Sequence, residues 1–155
     1  EETEKQINDG NKMIGLTEVT GPGIIITVAD SDLDPSKVLD SSNLLVHDSD
    51  ILKIVNELKN AGAEAISINN QRVILTTPII CGGNIINING ERIGSPFEIK
   101  AIGSPEALAN LSRPYGILSN LKDRGINVSE IKKSNNITIP KYSGVLNFKY
   151  LTSVK

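Results

Sequence analysis

Two side chains that often take part in nucleophilic chemistry occur once each in this chain, the histidine His47 and the cysteine Cys81. An imidazole beside a thiol can generate a nucleophile. The two residues are far apart in the sequence, however, and no third residue is placed to orient the imidazole. Cys81 stands between an apolar run and a glycine pair, which is typical of a small buried side chain. We therefore expect no catalytic residues and no enzymatic activity.

A second candidate chemistry is calcium binding, because Asp30, Asp32 and Asp34 alternate as they do at the start of a calcium-binding loop. The pattern then fails, since Pro35 replaces the required glycine and Ser41 replaces the bidentate glutamate. Residues 31–46 are therefore predicted to form a solvated loop, with weak calcium binding as the alternative. The chain also lacks a cluster of cysteine and histidine ligands, so we expect no metal and no cofactor.

Polar residues at the two ends of a predicted strand form the candidate ligand- or partner-binding site. They are Glu64, Asn69, Gln71 and Arg72. Arg72 could hold a carboxylate or a phosphate, since its planar fork suits both groups. The alternative is a structural role, in which Arg72 pairs with Glu64 or donates to backbone carbonyls near the hairpin. We favour the structural role, because an arginine in a folded sheet usually satisfies its N–H groups within the protein.

A predicted helix and the strand that follows it position these residues. The helix is expected over residues 48–61, with Asp48 capping its first free N–H groups. Its apolar residues recur at helical spacing and form one stripe: Ile51, Val55 and Leu58. Gly62 is suited to the left-handed conformation that ends a helix. Residues 63–69 then form a short, buried strand.

The order of the remaining elements predicts an α+β domain. Beside that helix and strand, we expect a strand at 24–29, a hairpin at 84–93, a strand at 97–102 and a helix at 105–124 that Pro114 breaks or kinks. Two short strands at 128–133 and 137–139, around Asn135-Asn136, and a further strand at 146–150 are expected to follow. Without the inserted hairpin this is β-α-β-β-α-β, the ferredoxin-like plan. We therefore predict two helices on one face of an antiparallel sheet.

Composition and charge exclude other classes of function. The net charge is −2 and aromatic residues make up only 3% of the chain, which argues against nucleic-acid binding. No apolar run is long enough to span a bilayer. Residues 16–155 are expected to form a single domain. Residues 1–15 are polar, with Ile7 and Ile14 one heptad apart, and are expected to be either a frayed tail or the end of a coiled-coil stem.

Several segments together resemble one protein family. They are residues 20–28 (TGPGIIITV), 56–69 (NELKNAGAEAISIN), 71–72 (QR), 81–83 (CGG), 95–97 (SPF) and 101–105 (AIGSP). Over about residues 16–140 the chain is similar to the DUF881 family, and residues 56–69 are the most specific part of the match. The family has no assigned enzymatic activity and supplies no catalytic residues.

The resemblance implies a location and a function. Members of the family come from Gram-positive and related bacteria and typically have a transmembrane segment, a short coiled coil and this domain outside the membrane. Some are encoded near cell-division genes. The resemblance therefore implies that residues 1–15 end a stem whose anchor lies upstream, with a homodimer through the stem left open. It favours an interaction or scaffold module that binds an envelope or division protein.

The alternative function is a small-ligand sensor. Ferredoxin-like sheets often bind metabolites at their edges, which is an argument from fold alone. In this interpretation, the loop at residues 31–46 and the Gly82-Gly83 turn would form the pocket.

Overall fold

The computed structural model describes residues 1–154, which form a mixed α+β fold with antiparallel sheets. The α-helices are α1 (Glu2–Ile14), α2 (Asp48–Asn60), α3 (Pro105–Leu108) and α4 (Ile117–Asp123). The strands are β1 (Val19–Ala29), β2 (Ala65–Ile68), β3 (Gln71–Arg72), β4 (Ile79–Gly82), β5 (Ile85–Ile88), β6 (Glu91–Ile93), β7 (Phe97–Ile102), β8 (Asn127–Val128) and β9 (Lys132–Ile139).

The larger sheet has six strands in the order β3-β2-β7-β1-β8, and β9 also pairs with β1. All of these pairs are antiparallel. The second sheet is the meander β4-β5-β6, in which the predicted hairpin lies. The α+β class predicted from the sequence is therefore confirmed, whereas the ferredoxin-like plan stays a prediction.

The main core lies on one face of the larger sheet. Successive strand residues point to opposite faces, so alternate residues of the central strands share the buried one. These are Ile24, Ile26 and Val28, then Ile66 and Ile68, then Phe97, Ile99 and Ala101. Against them pack Ile51, Ile54, Val55 and Leu58 of α2 and Leu108, Leu118 and Leu121 of α3 and α4. The hydrophobic effect thus places these three helices and this sheet face around one core.

The start and end of α2 show how far local signals extend. The helix begins at Asp48 but its N-cap residue is His47, so the cap predicted for Asp48 is wrong. The Asp48 carboxylate instead accepts hydrogen bonds from the N–H groups of Ser49 and Cys81. The glycine signal is confirmed, because Gly62 follows the helix with a φ of +95°.

The helix predicted over residues 105–124 is broken in the structure. The α3 helix ends at Leu108, a 3₁₀ turn covers Ala109–Ser112, and α4 begins only at Ile117. Pro114 disfavours helical backbone at the residue before it. Tyr115 then adopts a φ of +61°, which turns the chain before α4. The proline therefore separates two short helices and does not merely kink one long helix.

The last strands also differ from expectation. In place of two short strands around Asn135-Asn136, β9 runs without a break from Lys132 to Ile139 beside β1, which itself begins at Val19 and not near residue 24. A register shift between Gly21 and Gly23 accommodates the pairing. Residues 146–150 form no strand. The strand continues through the two asparagines as a bulge, because neither of them has a paired residue on β1.

Candidate functional site

A cleft of about 820 Å³ lies between α1 and the second face of the larger sheet. Ala65 and Ile102 form its floor, and they belong to a small apolar cluster, separate from the main core, that also contains Ile137 and Ile139. Apolar and charged side chains both line the cleft. The lining residues are Asp9, Lys12, Met13, Glu18, Val19, Thr20, Glu64, Ala65, Arg72 and Ile102. The cleft is therefore mainly apolar inside and charged around its rim.

Arg72 forms the most buried charged wall of the cleft, with only 3% of its surface exposed. It lies on β3 opposite Ser67 of β2, and this register directs both side chains to the same sheet face. Its Nη1 donates to the carbonyl oxygens of Thr17 and Pro140, at 2.9 and 3.2 Å. Its Nη2 donates to the carbonyl oxygen of Lys12, at 2.9 Å. One guanidinium thus joins α1, the linker after it and the end of β9.

The electrostatics of Arg72 depend on these carbonyls. Within residues 1–154 no carboxylate lies within ion-pair distance of Arg72, and burial lowers the pKa of its guanidinium. The Lys12 carbonyl is among the last four of α1, which have no partner within the helix. A cation there also meets the negative end of the helix dipole. We call this set of contacts the Arg72 clamp: Arg72 with the carbonyls of Lys12, Thr17 and Pro140.

The structure brings two of the four predicted site residues together in the cleft. Glu64 is exposed at the rim, and it is not the partner of Arg72. Asn69 and Gln71 do not line the cleft: Asn69 accepts from the Glu98 N–H at 2.6 Å, and Gln71 accepts from the Asn89 side chain at 3.4 Å. Arg72 does donate to backbone carbonyls, but these belong to Lys12, Thr17 and Pro140 and not to the hairpin, and the Glu64 pair is absent.

Sequence reasoning missed the half of the cleft that α1 and its linker contribute. The missed residues are Asp9, Lys12, Met13 and Glu18. The side chain of Asp9 pairs with Lys5 and Lys12 along the helix, so these charges are partly neutralised locally. The one available signal was Arg72 itself, since a buried arginine needs several oxygen partners that its own hairpin cannot supply.

His47 and Cys81 meet through Asp48 but form no nucleophile–base pair. The Cys81 Sγ accepts from the Asp48 N–H at 3.1 Å, and the Asp48 carboxylate accepts from the Cys81 N–H at the same distance. The His47 ring instead contacts the carbonyl oxygen of Ser42 at 2.7 Å. Burial raises the pKa of the Cys81 thiol, which keeps it protonated at neutral pH.

Two aspartates of the 31–46 loop bond within the loop, whereas Asp32 accepts from the Asn127 side chain. Asp34 and Asp40 each cap a 3₁₀ turn by accepting from the hydroxyl and the N–H of Ser36 and Ser42, and these hydrogen bonds lower the pKa of both carboxyls. The described residues contain no group of three or more side chains placed to hold a metal ion. Neither this loop nor Gly82-Gly83 lines the cleft.

The helices of residues 1–154 are short. The two longest, α1 and α2, have 13 residues each, and in the described part of the chain none is long and apolar enough to cross a membrane.

Fold and site together define a bacterial α+β domain with an N-terminal helix fixed to its sheet. The chain belongs to the DUF881 family, described as "Bacterial protein of unknown function", which matches residues 6–152. The resemblance noted from the sequence is therefore confirmed over nearly the whole chain.

Relatives and a solved structure agree with this assignment. The chain is 33% identical over 136 residues to the UPF0749 protein YlxW of Bacillus subtilis (strain 168), covering 87% of this chain and 57% of that protein. It is 34% identical over 100 residues to the UPF0749 protein Rv1823 of Mycobacterium tuberculosis (strain ATCC 25618 / H37Rv), covering 60% of this chain and 32% of that protein. The chain therefore corresponds to only part of each relative's length.

A crystal structure of an uncharacterized conserved protein from Mycobacterium tuberculosis has the same fold. Its TM-score is 0.77 at 24% identity, covering 96% of this chain and 99% of that one.

Proposed function

We propose that this domain is a non-enzymatic interaction module of a bacterial cell-envelope or division-associated membrane protein, held on the extracytoplasmic side by an anchor upstream of α1. The observation that carries the proposal is the Arg72 clamp. No residue of α1 is buried, so apolar packing does not hold this helix on the domain. Polar contacts at its C-terminal end hold it in one orientation.

A second contact reinforces the clamp. The Tyr142 N–H donates to the Gly15 carbonyl at 2.7 Å, directly beside the end of α1. A stem whose direction is set by buried hydrogen bonds presents the domain at a fixed angle to whatever precedes it. That property suits a scaffold that must offer one surface to a protein partner.

The exposed side of α1 supports a second copy of the chain as one partner. Ile7 and Ile14 are 58% and 43% exposed and lie one heptad apart, as in the seam of a coiled coil. A homodimer through this stem would cover both residues.

The order of strands supports the ferredoxin-like plan. Strands β2, β7, β1 and β9 are neighbours in that order, and each pair is antiparallel. Helix α2 connects β1 to β2, while α3 and α4 connect β7 to β9. This order supports the β-α-β-β-α-β arrangement, with the hairpin inserted between β2 and β7.

A small-ligand sensor is the second candidate, and the cleft is the observation that favours it. Its volume of about 820 Å³ falls within the range of about 300–1,000 Å³ that ligand pockets usually have. The apolar floor and charged rim would suit a small molecule with an apolar body and at least one charged group. A ligand bound there would contact Arg72, the residue that forms the Arg72 clamp.

Site-specific photo-crosslinking from the cleft distinguishes the two functions. A crosslinking residue at Glu64 in the full-length, anchored protein should capture an envelope or division protein, whereas the same residue at Glu106 should not. Both positions are exposed, and Glu106 lies on α3, which packs on the opposite sheet face. The sensor function would be established instead by two results together. The crosslinker at Glu64 captures no protein specifically, and native mass spectrometry shows a bound small molecule that the Glu64→Gln variant does not retain.

The location is tested separately. A periplasmic-type reporter enzyme, active only outside the cytoplasm, is fused after residue 155 of the full-length protein. This reporter is expected to be active. If it is inactive, while a second reporter that works only in the cytoplasm is active at the same fusion point, the extracytoplasmic assignment is overturned.

A further inference from the structure

The chain after Pro140 has more exposed large apolar side chains than any other described stretch of similar length. We call residues 141–154 the C-terminal segment; it has no regular secondary structure. Five of its large apolar side chains are at least half exposed: Val145, Phe148, Tyr150, Leu151 and Val154. Exposed apolar residues gathered in one segment usually mark a site of interaction.

The charge of this part of the chain is as uneven as its hydrophobicity. Residues 131–155 contain five lysines and no acidic residue, while all 18 Asp and Glu side chains lie before them. Three of the chain's five aromatic residues are Tyr142, Phe148 and Tyr150. Lys132 and Lys133 are also exposed, but they begin β9 and so lie at the end of that strand away from the segment. The domain is therefore acidic overall with one basic, aromatic end.

We propose that the C-terminal segment binds the surface of an anionic lipid bilayer. Lysines gain free energy beside anionic head groups. Aromatic side chains are favoured at the membrane–water interface, where an apolar ring meets polar head groups. An acid-free segment with exposed Phe148, Tyr150 and flanking lysines meets both requirements. The binding needs neither an upstream anchor nor a protein partner, so it goes beyond the proposed function and is tested independently of it.

The start of the segment is fixed, which gives it a defined place on the domain. The Tyr142 N–H is bonded to the Gly15 carbonyl, and Pro140 is held by Arg72. The segment therefore leaves the domain at the base of α1. The family match extends to residue 152, so nearly all of the segment belongs to the family's domain.

Vesicle co-sedimentation of the chain tests the proposal. Binding is expected to vesicles of phosphatidylglycerol and phosphatidylcholine in equal parts, and not to pure phosphatidylcholine. Lys141→Gln with Lys149→Gln should weaken binding about 25-fold, since each lysine near an anionic surface contributes a factor of about five. Phe148→Ser with Tyr150→Ser should weaken it at least about tenfold, because two rings leave the interface.

A matched control separates this segment from general charge effects. Lys37→Gln with Lys53→Gln removes the same charge from two exposed positions elsewhere and should leave vesicle binding within about twofold. Equal loss in this control, or equal binding to neutral vesicles, would overturn the proposal. The proposal would also be overturned if the chain failed to bind vesicles and instead formed a dimer in solution that the double variant Phe148→Ser, Tyr150→Ser dissociates. Unchanged melting temperatures in all variants confirm that each chain is folded.

Discussion

Replacing Arg72 with alanine removes the one side chain that joins α1, the linker and the end of β9. Three backbone carbonyls lose a donor at once, those of Lys12, Thr17 and Pro140, although the Lys12 carbonyl still accepts from the Gly15 N–H at 3.3 Å. Because no residue of α1 is buried, the helix has little else to hold it against the domain. We expect Arg72→Ala both to destabilise the fold and to release α1.

The size of the effect follows from three hydrogen bonds and one buried charge. A hydrogen bond from a charged donor contributes about 1.5–3 kcal/mol, so three have a gross worth of about 4.5–9 kcal/mol. Removing the guanidinium also removes the cost of its burial, which is several kcal/mol for an ion. The freed carbonyls can reach water once α1 moves away. We therefore expect the free energy of unfolding to fall by about 2–4 kcal/mol.

Urea unfolding and amide hydrogen exchange measure the two consequences. In Arg72→Ala, the α1 amides and the Tyr142 amide should lose protection before the sheet does, since local opening needs less free energy than global unfolding. Arg92→Ala is the matched control, because Arg92 is exposed on β6, and its effect should stay within about 0.5 kcal/mol. If Arg72→Ala behaves like this control and the Tyr142 amide keeps its protection, the clamp does not hold the stem and our reasoning is wrong.

Three further predictions concern the core and α2. Val55→Asp should unfold the domain, because Val55 is 2% exposed and an unpaired buried carboxylate costs several kcal/mol. The control Lys53→Asp, on the exposed side of α2, should remain folded by circular dichroism. An unchanged melting temperature for Val55→Asp would contradict the packing of α2. The hydrogen bond from the Cys81 N–H lowers the pKa of the Asp48 carboxyl in the folded state, so the carboxylate stabilises the fold above its unfolded pKa of about 3.9 and loses that effect as the pH falls through the lower folded pKa. Asp48→Asn should therefore make the free energy of unfolding fall less steeply with decreasing pH in the acid range. The same pH dependence in the variant and the unchanged chain would refute the contact. The raised pKa of the Cys81 thiol should make its alkylation by iodoacetamide at neutral pH slower than in the urea-unfolded chain, and equal rates would count against its burial.

Features set by a few adjacent residues could be predicted from the sequence. Gly62 and the Asn89-Gly90 turn take the positive φ values that their residue types permit, and Ser104 caps the helix that Pro105 begins. Each of these outcomes depends on backbone preferences within one turn. They are local, so no knowledge of the rest of the fold is needed to anticipate them.

Features set by distant pairing could not be predicted in the same way. The continuity of β9 through Asn135-Asn136 depends on β1, more than a hundred residues earlier in the chain. The three partners of Arg72 come from residues 12, 17 and 140, so the sequence could indicate that the guanidinium would be satisfied but not by which carbonyls. The cleft could not be predicted either, because half of it is formed by α1 and its linker, and the sequence indicated only a frayed tail or a stem for residues 1–15.

The Arg72 clamp links the proposals made for the two ends of the chain. The guanidinium bonds Lys12 at the end of α1 and Pro140 just before the C-terminal segment, so the stem and that segment share one buried charge. Binding that orders either end while the clamp is closed must favour the closed clamp, and the coupling free energy is the same in both directions. A bilayer bound by the C-terminal segment would therefore also stabilise the orientation of α1. A ligand in the cleft that competed for Arg72 would oppose both effects, because the carbonyls would lose the donor that holds them together.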